Sequence, residues 1–123
     1  MSMLNSIILE GNITKVGNVV EFADSKKQME VTISVERSYK NRSGKMVDET
    51  SEFDIVAQGG PMVDMLSRKG EEGQGIRVVG RLKQIKWVAD GKDCSRVVIV
   101  AEHIEYKPKK SQKKETENEE SVL

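Results

Sequence analysis

The stretch "MEVTISVE", residues 29–36, alternates apolar and polar side chains without a break. Successive side chains of a β-strand point to opposite faces, so Met29, Val31, Ile33 and Val35 share one face and the polar residues share the other. The pattern predicts a strand with one face buried in a core.

Two further strand signals precede this segment. "NSIILEGNI", residues 5–13, is a β-branched apolar run interrupted by Gly11, which predicts a strand with a bulge or bend at the glycine. A shorter strand is predicted within "KVGNVVEFA", residues 15–23.

A polar stretch follows the alternating strand. "SYKNRSGKMVDE", residues 38–49, has no apolar periodicity and contains the turn residues Asn41, Ser43 and Gly44. It is predicted to connect to another strand, "TSEFDIVAQ", residues 50–58.

The apolar spacing then changes to that of a helix. In "GGPMVDMLSRKG", residues 59–70, Pro61 occupies a plausible first helical position and Met62, Met65 and Leu66 follow at i, i+3 and i+4. Gly70 ends the segment, so a helix of about two turns is expected.

Two more strands complete the pattern. The loop "GEEGQG", residues 70–75, leads into "IRVVGRLKQIKW", residues 76–87, and "ADGKDC", residues 89–94, turns that strand into "SRVVIVAEHIEY", residues 95–106. Without the short strand in residues 15–23, five antiparallel strands with a short helix between the third and fourth match the order of the OB-fold. This all-β fold is a five-stranded Greek-key barrel that commonly binds oligonucleotides.

The totals restrict the function classes. A chain of 123 residues forms one domain, and 20 Lys plus Arg balance 20 Asp plus Glu, so any attraction to a polyanion must be local. No apolar run approaches the ~20 residues that cross a bilayer, and the first residues lack the features of a signal peptide. A soluble, cytoplasmic protein is expected.

The side chains available for chemistry are few. The single cysteine, Cys94, cannot form an internal disulfide, which fits a reducing compartment. Cys94 and His103 are the only soft metal ligands, whereas a structural zinc site needs four. The glycine-rich loops lack the Lys and Ser/Thr of a phosphate loop. We therefore expect no metal and no cofactor.

The composition changes abruptly after residue 106, which divides the chain into a barrel domain, residues 1–106, and a tail, residues 107–123. The tail has five lysines before four glutamates, has no apolar pattern until its last two residues, and is predicted to be disordered. An acidic run before an apolar terminus suits a basic, apolar pocket on another protein, and an ordinary solvated tail is the alternative. The residues predicted to bind such a partner are Glu117, Glu119, Glu120, Val122 and Leu123.

Aromatic and basic residues coincide in two windows. Tyr39 lies among Arg37, Lys40, Arg42 and Lys45, with no acid from residue 37 to residue 47. Trp87, the only tryptophan, follows Arg77, Arg81, Lys83 and Lys86, with no acid from residue 73 to residue 89. Cations track a phosphate backbone and rings stack on unpaired bases, so the windows indicate binding of a single-stranded nucleic acid.

Each of these features also has a purely structural interpretation. Trp87 would equally suit a position packed on the barrel rim, and Tyr39 an ordinary exposed position in a polar loop. Phe53 shares the strand face of Ile55 and Ala57, which fits a core position. Basic windows alone are commonly solvated faces.

These residues resemble the bacterial single-stranded DNA-binding protein family over roughly residues 4 to 106. "NSIILEGNI" is similar to its first strand, "ISVERSYKNRSGKMVDETSEFDIVAQG" to its second and third strands with their basic hairpin, and "VVGRLKQIKW" to its fourth. The resemblance implies base stacking on Tyr39, Phe53 and Trp87, and it implies a homotetramer in which the first strand pairs across subunits. The candidate phosphate contacts are Arg37, Lys40, Arg42, Lys45, Arg81, Lys83 and Lys86.

The chain departs from the family at three places, and the slightest departure is a longer loop, "EEGQG", residues 71–75. A fourth stacking ring of the family falls at or beside Gly59, where this chain has none, so a weaker or altered DNA path is expected there. The terminal "ENEESVL" keeps acid followed by apolar residues but lacks the proline and the aromatic residue of the family tail. Recruitment of replication and repair enzymes through the tail is a weaker expectation for that reason.

Three other functions remain open on the sequence. A dimeric accessory protein of replication restart has the same barrel, and an RNA-binding OB module would show similar rings and cations. A small enzyme that uses Cys94 with His103 as its base belongs to a different class, and the sequence offers no third group to orient the pair.

Overall fold

The fold is described by a computed structural model for residues 2–108. Met1 and residues 109–123 lie outside the described residues. The predicted tail, with Glu117, Glu119, Glu120, Val122 and Leu123, therefore lies outside them apart from Lys107 and Pro108.

One sheet closes on itself to form the barrel. Its strands lie in the order β1-β5-β6-β4-β3-β2, and an additional pairing between β1 and β3 closes the circle. Within residues 2–108, five long strands and a single helix between β4 and β5 confirm the predicted OB-fold. The elements are β1 (Ile7–Val16), β2 (Val20–Glu21), β3 (Lys27–Lys40), β4 (Met46–Gln58), α1 (Gly60–Lys69), β5 (Gly75–Ala89) and β6 (Lys92–Tyr106).

The alternating segment forms the buried wall of the barrel, as predicted. Met29, Val31 and Ile33 are buried in the core, where they meet Ile55 and Ala57 of the antiparallel neighbour β4. The strand continues to Lys40, and β4 begins at Met46. The polar stretch 38–49 is therefore mostly strand, because backbone hydrogen bonds extend a hairpin beyond the point where its side chains reach the core.

The first strand differs from its prediction in the position of its irregularity. The register between β1 and β3 shifts between Ile13 and Lys15, so the bulge falls at Thr14 and not at Gly11. Gly11 is needed for a different reason, since a Cβ atom there would lie 2.4 Å from the backbone oxygen of Ser34. It is the point where β1 crosses closely over β3.

The short strand predicted within residues 15–23 is only two residues long in the structure. Of residues 15–23, Lys15 and Val16 belong to β1, and only Val20–Glu21 forms β2, at the edge of the sheet beside β3.

The structure confirms the sequence signals for the start and the end of the helix. Pro61 lies in its first turn, and Gly70 is its C-cap, donating its N–H to the Leu66 carbonyl. Val63 and Leu66 are buried in the core of the barrel, and Met62 packs at the margin of that core.

The last two strands form a hairpin of 15 residues on each side. Its turn is Asp90 and Gly91, both with positive φ, at 51° and 75°, as a two-residue hairpin turn requires. One pairing departs from the antiparallel expectation, because β6 meets β4 in parallel at Ile99 and Val100. That parallel contact joins the hairpin to the rest of the wall.

The described residues give no sign of two other site classes. Within residues 2–108 no helix is long and apolar enough to cross a membrane. Across the same span, no three His, Cys, Asp or Glu side chains are grouped to hold a metal ion.

Candidate nucleic-acid interface

Two long hairpins carry most of the predicted site residues, whereas Phe53 and Arg81 lie closer to the barrel. We call residues 37–49 the β3–β4 arm, which contains Tyr39 and its basic neighbours. We call residues 82–98 the β5–β6 arm, which contains Trp87, Lys83 and Lys86. In both arms cross-strand pairing continues to the turn, so the backbone holds the side chains in a defined register.

Tyr39 is a half-exposed ring near the end of its arm. It lies opposite Val47, its side chain is 36% exposed, and the guanidinium of Arg37 lies 4.9 Å from the ring centroid. A guanidinium at that distance occupies one face of the ring in a cation–π contact. One ring face remains for a planar ligand to stack on.

Phe53 lies at the rim of the barrel and not inside it. It pairs with the fully buried Ile33 and shares a strand face with Ile55, which is also fully buried, yet Phe53 itself is 37% exposed. The buried wall ends at this residue. The core interpretation of Phe53 is therefore only half right, since the ring borders the core and is open to solvent.

Trp87 projects from the β5–β6 arm with 43% of its surface exposed. It lies opposite Cys94, and the unbroken register of β5 in this arm places it on the same face as Lys83 and Ile85. The core residues Ile76 and Val78 belong to the other face, so Trp87 and Lys83 lie on the outer face of the sheet, whereas Lys86 lies on the opposite face of the arm.

The structure does not gather the three rings into one cluster. Tyr39 and Phe53 share a face of the β3–β4 ladder but lie six ladder positions apart, which corresponds to ~20 Å along the strand. Trp87 lies on the other hairpin. A ligand that touches all three must be extended and must cross from one arm to the other.

The cations of the β5–β6 arm face neutral partners. Lys83 lies opposite Val98, and Lys86 lies opposite Ser95. Arg81, just before the arm, lies opposite Val100 and approaches Glu102 only to 4.0 Å. Within residues 2–108 neither lysine takes part in an ion pair, so both charges remain available to an anion.

The β3–β4 arm has acids on its return strand that the acid-free window did not reveal. Arg37 lies opposite Glu49, with Nη1 3.8 Å from Oε2, and Ser38 donates to Asp48 at 2.7 Å. In the part of the chain that the structure describes, Lys40, Arg42 and Lys45 make no ion pair. The charge of this arm is therefore concentrated at its tip.

A half-buried ion cluster joins β3, β4 and β6, and no sequence pattern predicted it. Arg96 of β6 donates to Glu30 of β3 and to Asp54 of β4, and Thr32 donates to Asp54 at 3.0 Å. The hydrogen bond with Glu30 raises the pKa of the Arg96 guanidinium further above its ordinary value. No local pattern indicates this cluster, since its members are 42 and 66 residues apart in the chain.

Gly59 shows why a ring is absent at the remaining edge of the wall. Its φ is 98°, a conformation that side chains rarely adopt, and it precedes α1 as the N-cap. A larger residue at position 59 would be strained, although the space around it is open.

The model of the "Single-strand binding protein family" matches residues 4–107. The chain belongs to this family. The match covers both arms and ends at Lys107, whose N–H bonds the Gly75 carbonyl at 3.0 Å.

Individual members of the family are similar over most of the chain. The "Single-stranded DNA-binding protein" of Aquifex aeolicus (strain VF5) is 32% identical over 120 residues, covering 96% of this chain and 81% of the relative. The Plasmodium falciparum SSB in its complex with ssDNA has a TM-score of 0.80 at 17% identity, covering 88% of this chain and 98% of that one. The single-stranded DNA-binding protein from Thermus aquaticus, in a mutant form, has a TM-score of 0.77 at 23% identity, covering 88% and 52%.

Proposed function

We propose that this protein binds single-stranded DNA without sequence preference and protects and organises it during replication, recombination and repair. One observation carries this function beyond family membership: each arm combines a half-exposed ring with cations that have no partner among the described residues. Stacking on a ring and neutralisation of phosphate are both independent of base identity. The combination suits an unpaired strand and not a duplex, whose bases are already stacked.

The roles follow from exposure and position. Tyr39, Phe53 and Trp87 stack bases, because each presents a ring to solvent beside the barrel. The extended separation of the rings favours a strand that wraps across the wall from one arm to the other. The phosphate contacts are Arg37, Lys40, Arg42, Lys45, Arg81, Lys83 and Lys86.

Intrinsic fluorescence tests this function directly, because Trp87 is the only tryptophan. Titration with oligo(dT) should quench its emission strongly, and a duplex of equal length should not. Equal quenching by both would contradict stacking on unpaired bases. Tighter binding of an RNA oligonucleotide of the same sequence in direct competition would favour the RNA-binding alternative.

We further propose that four subunits assemble through β1. Its residues Ile7–Asn12 pair with β5 on one side, and pairing with β3 on the other side begins only at Asn12. Backbone groups between Ile7 and Gly11 therefore face outward on that side, and Ile8 is 67% exposed. An unpaired edge with apolar residues is a template for another strand. Native mass spectrometry should give four subunits, and a dimer would favour the accessory protein of replication restart.

We also propose that residues 107–123 form a tail separate from the barrel and that its acidic, apolar end binds partner proteins in the cytoplasm. The separation is supported at its start, where Lys107 is the last of the described residues with a backbone bond to the sheet. A chain that ends at residue 108 should bind oligo(dT) with unchanged affinity while losing capture of replication and repair proteins. Loss of DNA binding in that variant would place the tail inside the binding domain.

A catalytic role has little support from the positions of the reactive side chains. Cys94 and His103 lie nine residues apart on the single strand β6, which corresponds to ~30 Å. A nucleophile and its base must lie within hydrogen-bond reach. We therefore propose that the protein is not an enzyme. Hydrolytic activity in the unaltered protein that is lost in Cys94→Ala would overturn this proposal.

A further inference from the structure

A second apolar cluster lies on the outer face of the sheet, opposite the main core. Val56, Val98 and Val100 are 1–3% exposed, and Ile85 packs against them. These residues alternate with the core residues Ile55 and Ile99, so they point away from the barrel interior. The cluster joins the base of the β5–β6 arm to β4.

Arg96, on the same face of the sheet, donates hydrogen bonds to two carboxylates. Its Nη1 lies 2.8 Å from Oε1 of Glu30 and 3.0 Å from Oδ2 of Asp54, and its Nη2 lies 3.1 Å from Oε2 of Glu30. A guanidinium held by two carboxylates on two strands has a fixed position and direction. The contact therefore ties β6 to both β3 and β4.

The β5–β6 arm has few other attachments. Among the described residues its backbone pairs only within the hairpin, because β4 contacts β6 at Ile99 and Val100 and β1 pairs with β5 no further than Gly80. At its base, the side chain of Asn5 bonds both backbone groups of Leu82, at 2.8 and 2.9 Å. Within residues 2–108, Arg96 makes the only side-chain hydrogen bonds from residues 83–97 to another part of the fold.

We propose that Arg96 is a positioning residue that sets the angle of the β5–β6 arm and thereby presents Trp87 to a DNA base. Arg96 lies opposite Ile85, and Trp87 follows two residues later on the same face, ~7 Å further along the strand. A change in the direction of the arm at this point moves the indole relative to Phe53 and Tyr39. This inference rests on the proposed binding of single-stranded DNA.

Arg96 differs in this respect from a phosphate contact. Two carboxylates already neutralise its charge, and their oxygens accept hydrogen bonds from three of its five N–H donors. Removal of a cation that binds phosphate in a single strand lowers the slope of log K against log salt by about 0.7. Removal of Arg96 should leave that slope unchanged.

The first experiment compares Arg96→Met with Arg77→Met in the full-length protein. Arg77 also pairs with two carboxylates, Glu10 and Glu105, but it lies at the opposite end of β5. With oligo(dT), Arg96→Met should reduce the quenching of Trp87 at saturation and weaken binding by about 3- to 10-fold. This is part of the about 5- to 150-fold that loss of a stacked base represents. Arg77→Met should change neither quantity, whatever it does to the melting temperature.

Two further variants separate orientation from charge. Arg96→Lys keeps the charge but not the forked guanidinium, so it should behave like Arg96→Met. Glu30→Gln removes one carboxylate and frees part of the guanidinium. If Arg96 positions the arm, Glu30→Gln weakens binding and quenching, whereas a phosphate contact predicts tighter binding and a steeper salt slope.

The outcomes distinguish this inference from the proposed function. If the unaltered protein does not bind oligo(dT), the function itself is wrong. If it binds and Arg96→Met retains full quenching and affinity, or if Arg96→Lys restores both, the positioning role is wrong and the function stands. Should Arg96→Met fail to fold, Glu30→Gln alone decides by the sign of its effect.

Discussion

The two arms have the same architecture and different electrostatics. Each is an antiparallel hairpin with a ring and several cations, and in each the ladder runs to the turn. In the β5–β6 arm Lys83 and Lys86 lie opposite valine and serine, whereas in the β3–β4 arm Arg37 lies opposite Glu49 and covers the ring of Tyr39. The availability of a charge or a ring therefore depends on its cross-strand neighbour, which is distant in sequence.

The arms also differ in how they are held. Beyond its own ladder, the β5–β6 arm is fixed by Arg96 and by the outer apolar cluster. The β3–β4 arm continues directly from the two strands that form the main wall, so its direction follows from the barrel. We expect the β5–β6 arm to supply the stronger contacts and the β3–β4 arm to supply a charged tip.

The largest effect is expected from the ring of the β5–β6 arm. Trp87→Ala should weaken binding of oligo(dT) by ~1 to 3 kcal/mol at every salt concentration, because stacking does not depend on counterions. Val88→Ala is the matched control, since Val88 is 68% exposed on the other face of the same arm. Intact affinity with a lowered melting temperature in Trp87→Ala would assign the indole to the fold and not to the DNA.

A smaller effect is expected from the ring of the β3–β4 arm. Tyr39→Ala should weaken binding less than Trp87→Ala does, because Arg37 already occupies one face of the phenol ring. Fluorescence anisotropy of a labelled oligonucleotide measures both variants under one set of conditions. An equal or larger loss for Tyr39→Ala would show that the two arms share the stacking evenly.

The cations of the arms should differ in their salt dependence. Lys83→Ala should reduce the slope of log K against log salt by about 0.7, the contribution of one phosphate contact in a single strand. Arg37→Ala should reduce it less, since Glu49 already partly neutralises Arg37. Affinities measured from 50 to 200 mM salt give both slopes, and equal reductions would mean that Glu49 releases Arg37 when DNA binds.

The smallest effect is expected from a change of Glu49, the acid that pairs with Arg37. Glu49→Gln should tighten binding of oligo(dT) by less than about fivefold, because exposed ion pairs contribute at most ~1 kcal/mol. Glu102→Gln, which removes the distant partner of Arg81, is the control and should have less effect still. Weaker binding in Glu49→Gln would indicate that the Arg37–Glu49 pair holds Tyr39 in place.

The elements that could be predicted are those with a local cause. The alternation of residues 29–36, the helix between Gly59 and Gly70 and the order of strands all follow from side-chain periodicity and from glycine and proline. The bulge was misplaced because Gly11 signals a close approach to Ser34, while the register shift at Thr14 depends on how β1 meets β3. The polar stretch 38–49 has the side-chain pattern of a connection, although most of it pairs as strand. Its strands are held by backbone hydrogen bonds and bury no apolar face, so apolar periodicity does not predict them.

The sequence by itself determined the five-stranded barrel, the family and the candidate side chains for binding single-stranded DNA, because periodicity and residue chemistry are properties of neighbouring positions. Only the tertiary structure decided which of those side chains are available. Phe53 lies at the rim, Arg37 meets Glu49, and Arg96 joins Glu30 and Asp54 across three strands. These contacts connect residues that are far apart in the chain, and their geometry exists only after the sheet has closed.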